Sequence, residues 1–192
     1  LKEVTFKYGD KTILSNVSII FEKGKSYCIL GNSGSGKSTL LDIISTFRKP
    51  NSGNIIINGE FDSKFIEKDY FLDKISYLPQ ETIVMNNTIR ENIAYLAKNK
   101  KDIDYLELLR FSELNDFISN KDNGLDYKVG SRGNLLSGGQ KQRIGISRTL
   151  VKKFDVLIFD EATSNIDSIT ENKIMNKLFS LSKNKISMFA TH

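Results

Sequence analysis

The chain has 192 residues, of which 39% are hydrophobic and 27% charged. This composition is typical of a globular protein and excludes collagen-like, disordered and membrane-spanning classes, since no run approaches the roughly 18 apolar residues that cross a bilayer. The formal net charge of +5 indicates a solvated lysine-rich face, or alternatively a preference for anionic ligands or membrane surfaces. The length fits one domain with an inserted subdomain.

The single cysteine and the two chain ends add to this picture. Cys28 excludes an intrachain disulfide, which favours a reducing compartment, and its apolar neighbours predict that it packs in the core. The chain begins at Leu1 without a methionine or signal peptide and stops at His192 directly after an apolar run. We therefore expect it to be part of a longer chain.

Strands and helices are predicted in alternation along the chain. Apolar and polar residues alternate at 4–8 and again at 17–21, which predicts two half-buried strands joined by a turn at Gly9-Asp10. The further predicted elements are a strand buried on both faces at 26–30, a helix at 37–46, strands at 54–58 and 74–78, a helical region at 88–118, a helix at 137–151, a strand at 156–159, a helix at 169–181 and a strand at 186–190. This order predicts a mainly parallel sheet covered on both faces, with residues 88–136 as a helical insertion.

A glycine-rich loop separates the predicted strand 26–30 from the predicted helix that follows. It matches the phosphate-binding pattern G-x-x-x-x-G-K-[ST], in which backbone N–H groups and a helix N-terminus surround a polyphosphate. Lys37 is placed to reach the β- and γ-phosphates and Ser38 to ligate Mg²⁺. The residues of the predicted nucleotide loop are Gly31, Asn32, Ser33, Gly34, Ser35, Gly36, Lys37, Ser38 and Thr39.

Two adjacent carboxylates end the apolar strand at 156–159. At the carboxyl edge of a parallel sheet, Asp160 and Glu161 would face the same crevice as the glycine-rich loop. Asp160 is placed to hold Mg²⁺ or its waters, and Glu161 to act on a water in line with the γ-phosphate. The alternative is a solvated strand end.

A second helix start follows the helical region. Ser137 and Gln140 have the spacing of a capping box, and Gly138 and Gly139 leave the first amides of the helix open to an anion. One nucleotide rarely needs two such helix ends, unless the second serves the nucleotide of a neighbouring copy.

Together these motifs resemble the nucleotide-binding domain of ABC transporters over nearly the whole chain. The resemblance implies a P-loop NTPase (RecA-like) α/β core with a mainly parallel sheet, N-terminal antiparallel β-strands and an inserted α-helical subdomain. The core would comprise residues 1–87 and 137–192 and the helical subdomain residues 88–136, with a C-terminal portion of the domain missing.

The resemblance also assigns roles to individual residues. Tyr8 is similar to the A-loop aromatic that stacks on adenine, and Gln80 to the Q-loop glutamine that contacts Mg²⁺. Residues 164–167 resemble the D-loop, with Asn165 and Ile166 as departures from the usual S-A-L-D and Asp167 retained. His192 is similar to the switch histidine that contacts the γ-phosphate.

Two segments resemble the exporter subtype. Residues 87–93 are similar to the exporter pattern G-T-I-R-E-N-I, and residues 129–133 resemble the X-loop, usually V-G-E-R-G. Ser131 stands where that loop usually has glutamate, a departure that bears on the inference of coupling to the membrane domain and not on that of ATP hydrolysis. The resemblance therefore implies a transmembrane domain fused N-terminally and a location at the cytoplasmic face of a membrane, the domain itself being soluble.

The expected mechanism is ATP hydrolysis by a head-to-tail dimer of two such domains. MgATP would lie between the glycine-rich loop of one copy and the Ser137–Gln140 helix end of the other. Lys37 and the metal held by Ser38, Gln80 and Asp160 would neutralise charge, Glu161 would act on the water, and His192 would contact the γ-phosphate. Hydrolysis would power export across a membrane.

Three other functions compete with an exporter. An importer ATPase subunit is the nearest, and the second is a non-transport ABC ATPase acting on DNA or ribosomes. The segment between Gln80 and Ser137 lacks an extended heptad pattern and Cys pairs, so no nucleic acid is expected as partner. A binding-only degenerate domain is disfavoured by Glu161 and His192.

Overall fold

A computed structural model describes residues 1–191, and its elements alternate much as the sequence predicts. The strands are β1 (Lys2–Tyr8), β2 (Lys11–Val17), β3 (Ser26–Leu30), β4 (Ser52–Asn54), β5 (Ile56–Ile57), β6 (Phe61–Asp62), β7 (Ile75–Leu78), β8 (Val156–Asp160) and β9 (Ile186–Thr191). The helices are α1 (Lys37–Ile44), α2 (Lys68–Asp73), α3 (Ile89–Ile93), α4 (Tyr105–Phe111), α5 (Asn115–Ser119), α6 (Gly138–Leu150) and α7 (Ser168–Leu181). None of the helices in residues 1–191 combines the length and apolarity that crossing a membrane requires.

The chain divides into two compact units. The first unit contains Leu1–Tyr77, Phe154–Asp160 and the residues from Ser182 onward. The second unit contains Leu78–Lys153 and Glu161–Leu181.

The central sheet of the first unit has the strand order β3-β9-β8-β7. β9 runs parallel to both β3 and β8, and its register pairs Leu30 with Thr191 and Asp160 with Ala190. The carboxyl ends of β3, β8 and β9 therefore meet at one edge of the sheet. This confirms the predicted α/β class with a parallel sheet.

A second sheet in the same unit has the strand order β2-β1-β4, and β1 is antiparallel to both neighbours. This confirms the predicted N-terminal antiparallel strands. α1 packs its Ile43 against Val4, Phe6 and Leu14 of this sheet. Its Leu41 and Ile44 pack against Ile158 and Met188 of the central sheet, so α1 is fixed between the two sheets.

The predicted second strand at 17–21 is wrong in its position, although the turn at Gly9-Asp10 is correct. β2 begins at Lys11, because the two-residue turn pairs Tyr8 directly with Lys11. β2 then ends at Val17, just after Asn16 adopts a positive φ of 51°. The alternating pattern beyond Val17 therefore lies outside the strand.

The predicted burial of β3 on both faces is also wrong. Tyr27 and Ile29 are half-buried against Phe21 and α1, whereas Cys28 and Leu30 on the opposite face are exposed. β3 is an edge strand of the central sheet in the described residues, and its outward face meets no packing partner there. Cys28 is therefore not a core residue.

The predicted single strand at 54–58 and the long helical region at 88–118 are both divided. β4 and β5 belong to different sheets, and the helical region consists of α3, α4 and α5, with two 3₁₀ turns between α3 and α4. Ile89, Ile93 and Leu109 are buried as the pattern indicates, but Leu106 is 64% exposed. Because the helices are short and change direction, a single face does not continue through the segment.

The second unit has a core of its own. One apolar cluster joins α3 to α6 and contains Ile89, Ile93, Leu109, Ile118 and Ile144.

A buried polar pair organises the segment that leads into α3. Asn92 is fully buried, and its amide bonds the N–H and carbonyl of Met85 and the carbonyl of Thr88.

Arg148 of α6 completes this polar pair. Its guanidinium donates to the carbonyls of Asn92 and Ile83, each at 2.8 Å, and to Asn92 Oδ1 at 3.1 Å. Burial lowers the pKa of Arg148, with Tyr95 acting in the opposite direction. Because buried polar groups must be bonded, these contacts fix residues 83–88 onto α6.

We predict that Asn92→Ala lowers the free energy of unfolding by about 2–4 kcal/mol, because it leaves the buried N–H and carbonyl of Met85 without their side-chain partner and removes one hydrogen bond of the Arg148 guanidinium. Chemical denaturation measures the change. Asn172→Ala, an exposed position on α7, is the control and should alter stability by less than about 0.5 kcal/mol. Equal, small effects in both variants would contradict the role of Asn92.

Candidate functional site

The glycine-rich loop and Asp160 lie at the same edge of the central sheet. The loop follows Leu30, and Leu30 and Asp160 pair with the adjacent residues Thr191 and Ala190 of β9. This is the crevice position predicted from the sequence, at the carboxyl ends of parallel strands.

The loop backbone requires glycine at two positions. Gly34 and Gly36 have φ values of 77° and 97°, in the left-handed region that side chains disfavour. A Cβ atom on Gly36 would also lie 2.9 Å from Ile13 Cγ2 of β2. Gly36 is the N-cap of α1, and no side chain among residues 1–191 caps that helix start. This helix start, with no side-chain cap, is the kind of N-terminus that binds anions.

Lys37 lies at the mouth of this loop. The residue is only 6% exposed, and its Nζ donates to the carbonyls of Gly31 at 2.6 Å and Asn32 at 3.3 Å. The ammonium is thus held over the residues that begin the loop. From there it can approach a phosphate bound by the loop amides.

Asp160 carries an unusual carboxylate. It is 3% exposed; its Oδ2 accepts from Tyr77 Oη at 3.2 Å, while its Oδ1 is buried without a hydrogen bond within residues 1–191. Burial raises the pKa of Tyr77, as do the charges of Asp160 and Asp42, so the phenol remains a donor. Leaving a carboxylate oxygen buried and unbonded is costly, and such an oxygen fits a divalent cation.

Tyr8 ends β1 and projects toward solvent. Its ring is perpendicular to that of Phe6, with centroids 4.9 Å apart, and 46% of the residue is exposed. The Arg48 guanidinium lies over the same ring, 5.2 Å from its centroid. An exposed aromatic ring of this kind can stack on a base.

Gln80 and Glu161 meet in the second unit. The Gln80 amide nitrogen donates to Glu161 Oε2 at 2.8 Å, which brings these two predicted site residues together. Glu161 has a φ of 49°, which is rare for a non-glycine residue. Such backbone strain is concentrated at functional positions.

The second predicted helix end has the expected capping box. Ser137 Oγ accepts from the N–H of Gln140 at 3.2 Å, and Gln140 Oε1 accepts from the N–H of Ser137 at 2.9 Å. Because Gly138 and Gly139 have no side chains, the N-terminus of α6 stays accessible. A Cβ on Gly139 would lie 2.7 Å from the carbonyl oxygen of Asn165, so the close approach of that backbone also requires glycine there.

The predicted D-loop is attached to α6 by a residue that sequence reasoning missed. Gln142 is buried, donates to Ser164 Oγ at 3.2 Å and accepts from the N–H of Asn165 at 2.9 Å. The only sequence signal for this contact is that Gln142 is a polar residue on the side of α6 that packs inward. Asp167 accepts from the N–H of Thr170 at 3.0 Å, and this backbone bond together with the Thr170 hydroxyl lowers the Asp167 pKa.

The helix end and the D-loop line a cavity of about 470 Å³ within the second unit. Arg143, which sequence reasoning also missed, borders it and donates to the Glu113 carbonyl at 2.6 Å. Burial lowers the pKa of Arg143, while Asp167 and Glu113 act to raise it. The lining residues are Ser137, Gly138, Gly139, Arg143, Asn165, Ile166 and Asp167.

The two segments that resemble exporters contact each other in the second unit. The N–H of Val129 donates to the Asn87 carbonyl at 3.1 Å, and Thr88 forms an isolated β-bridge with Lys128. Thr88 also caps α3. His192, the predicted switch histidine, lies outside the described residues.

A glycine-rich loop that leads into a helix, next to a strand that ends in a carboxylate, defines the class of P-loop nucleotide-binding proteins. Comparisons with known proteins narrow this class, because the sequence profile of the ABC transporter family matches residues 14–164. The chain therefore belongs to the ABC transporter family.

Similar proteins include exporters. A probable ABC transporter ATP-binding/permease protein of Haemophilus influenzae is 37% identical over 192 residues, which are the whole chain and 35% of that protein. The ATP-dependent lipid A-core flippase of Photorhabdus laumondii is 38% identical over the whole chain and 33% of its own length. A bacterial Atm1-family ABC exporter solved with ATP bound has a TM-score of 0.92 and 34% identity, covering the whole chain and 34% of that protein. The chain spans about a third of the length of these relatives.

Proposed function

We propose that this chain binds and hydrolyses ATP and thereby powers export of a substrate across a membrane. The observation that carries the proposal is the glycine-rich loop at the same sheet edge as the unbonded Asp160 Oδ1. The loop amides, the N-terminus of α1 and Lys37 supply positive potential for a triphosphate. Similarity to an exporter solved with ATP bound supports ATP as the nucleotide.

We propose Mg²⁺ as the cofactor, with Ser38, Gln80 and Asp160 as its protein ligands. The buried Asp160 Oδ1 fits this ion, since Mg²⁺ prefers carboxylate and other oxygen ligands. The Gln80 amide nitrogen donates to Glu161, so its side-chain oxygen is the atom with which it would ligate the ion. When bound, the ion would neutralise charge on the β- and γ-phosphates.

Glu161 is proposed to act on the attacking water. The water oxygen bonds to the γ-phosphorus while the bond to the β–γ bridging oxygen breaks, and the water proton passes to the Glu161 carboxylate. The hydrogen bond from Gln80 orients this carboxylate. Lys37 stabilises the charge that develops on the phosphates, and His192 is assigned the γ-phosphate contact by family resemblance.

The N-terminus of α6 is proposed to serve the nucleotide of a second copy. Its capping box, its two glycines and the neighbouring Arg143 form a second anion-attracting surface, held next to the D-loop by Gln142. A head-to-tail pair would place each nucleotide between the loop of one copy and the α6 start of the other. Residues 1–87 and 137–192 would form the ATP-binding core, with 88–136 as the helical subdomain.

The relatives suggest how hydrolysis is used. Two are described as ATP-binding/permease proteins of about three times this length. We therefore propose that the chain acts with a fused transmembrane domain at the cytoplasmic face of a membrane. Exporter relatives favour this over an importer subunit or a DNA- or ribosome-directed ATPase.

We predict that Lys37→Ala lowers ATP affinity by about 100-fold or more, because it removes a charged donor to the phosphates. Isothermal titration calorimetry with ATP on the full-length protein measures the loss. Lys23→Ala, an exposed lysine of the same unit, is the control and should bind normally. Wild-type affinity in Lys37→Ala would contradict the phosphate loop.

We predict that Glu161→Gln keeps ATP affinity but lowers turnover by about 10²–10⁴-fold and accumulates as an ATP-bound pair of domains, because proton acceptance is lost. Phosphate release measures turnover, and light scattering with and without ATP measures assembly. Glu107→Gln, exposed on α4, is the control. Near-normal turnover would remove Glu161 from the mechanism.

We predict that Tyr8→Ala weakens ATP about 5- to 150-fold, the range for loss of one base stack, and leaves inorganic triphosphate affinity unchanged. Competition calorimetry with both ligands separates the two effects. Tyr70→Ala, an exposed tyrosine of α2, serves as the control. Equal losses for both ligands would refute base stacking.

A further inference from the structure

Arg48 is anchored to the helix that carries the phosphate loop. Its Nε donates to Asp42 Oδ2 of α1 at 2.8 Å, and its backbone N–H donates to the Asp42 carbonyl at 3.2 Å. The preceding Phe47 N–H bonds the same carbonyl at 2.8 Å. The chain that leaves α1 is thus folded back, and Arg48 is held through both backbone and side chain.

The anchored guanidinium lies over Tyr8, the ring assigned to base stacking. The distance from Arg48 Cζ to the Tyr8 ring centroid is 5.2 Å, within the range of a cation–π interaction. Phe6 contacts the same ring perpendicularly, and Tyr8 remains 46% exposed. A ring held by two neighbours and still half exposed has a defined orientation and a surface left for a ligand.

We propose that Arg48 is a positioning residue for the base, acting through Tyr8. The inference rests on the proposed ATP-binding function and extends it to a residue outside the phosphate motif. The cation fixes the ring before the nucleotide arrives, which reduces the ordering that binding would otherwise require. Asp42, a half-buried residue of α1, links the orientation of the ring to the helix at the end of the phosphate loop.

If Arg48 instead blocked the ring of Tyr8, its removal would change ATP affinity in the opposite direction. If the guanidinium occupied the ring surface that the base needs, removing it would strengthen ATP binding. The positioning role requires weaker binding, confined to ligands that carry a base. The sign of the change in affinity therefore decides between the two.

The test uses Arg48→Gln, which keeps a long polar side chain without its charge, and Arg48→Ala. In the full-length protein, both should bind ATP about two- to fivefold more weakly, as expected for an exposed cation–π pair, with unchanged affinity for inorganic triphosphate. Arg48→Lys keeps a cation near the ring and should retain most of the affinity. Lys49→Ala, the neighbouring exposed cation, is the control and should change neither ligand.

A double-mutant cycle with Tyr8→Ala separates this inference from the function on which it rests. In the Tyr8→Ala background, Arg48→Gln should have no further effect on ATP affinity. Unchanged or tighter ATP binding by Arg48→Gln, or equal loss for triphosphate, would overturn the role of Arg48. If Tyr8→Ala itself affects both ligands equally, the assignment of Tyr8 to base stacking fails instead.

Discussion

The packing of α1 between two sheets is the constraint on which the nucleotide site depends. Ile43 packs on the β2-β1-β4 sheet, while Leu41 and Ile44 pack on the central sheet. A helix buried on both sides cannot shift without opening both cores, so its N-terminus has a fixed position at the sheet edge. The amides of that N-terminus and the ammonium of Lys37 are therefore ordered before any phosphate binds, which lowers the cost of binding.

In the second unit, polar contacts fix the positions of the loops of the proposed site. Arg148 and Asn92 hold the segment after Gln80 onto α6, and Gln142 holds the predicted D-loop onto the same helix. α6 thus supports three pieces of the proposed site: the segment after Gln80, the predicted D-loop and its own N-terminus. Buried hydrogen bonds of this kind are specific in direction, so they fix the position of loops that apolar packing alone would leave variable.

Much of the fold and of the candidate site could be predicted because its signals are local. The bounds of the strand at 26–30, the glycines of the loop and the capping box at Ser137 depend on residues adjacent in sequence, and the structure has them as predicted. The second strand was misplaced because its register depends on the tight turn at Gly9-Asp10 rather than on its own alternation. Cys28 was misassigned because apolar neighbours do not show whether a strand lies at an edge.

The sequence by itself determined the family and predicted the phosphate-binding chemistry, since phosphate binding needs particular residues at short, fixed spacings. Only the tertiary structure decided which distant groups meet: Tyr77 with Asp160, Gln80 with Glu161, and Arg48 with Tyr8. Each of these pairs joins different strands, helices or loops, and their contact follows from how those elements pack. The spacing of residues along a chain does not indicate which distant side chains lie close together in space, whereas close packing fixes the distances between them.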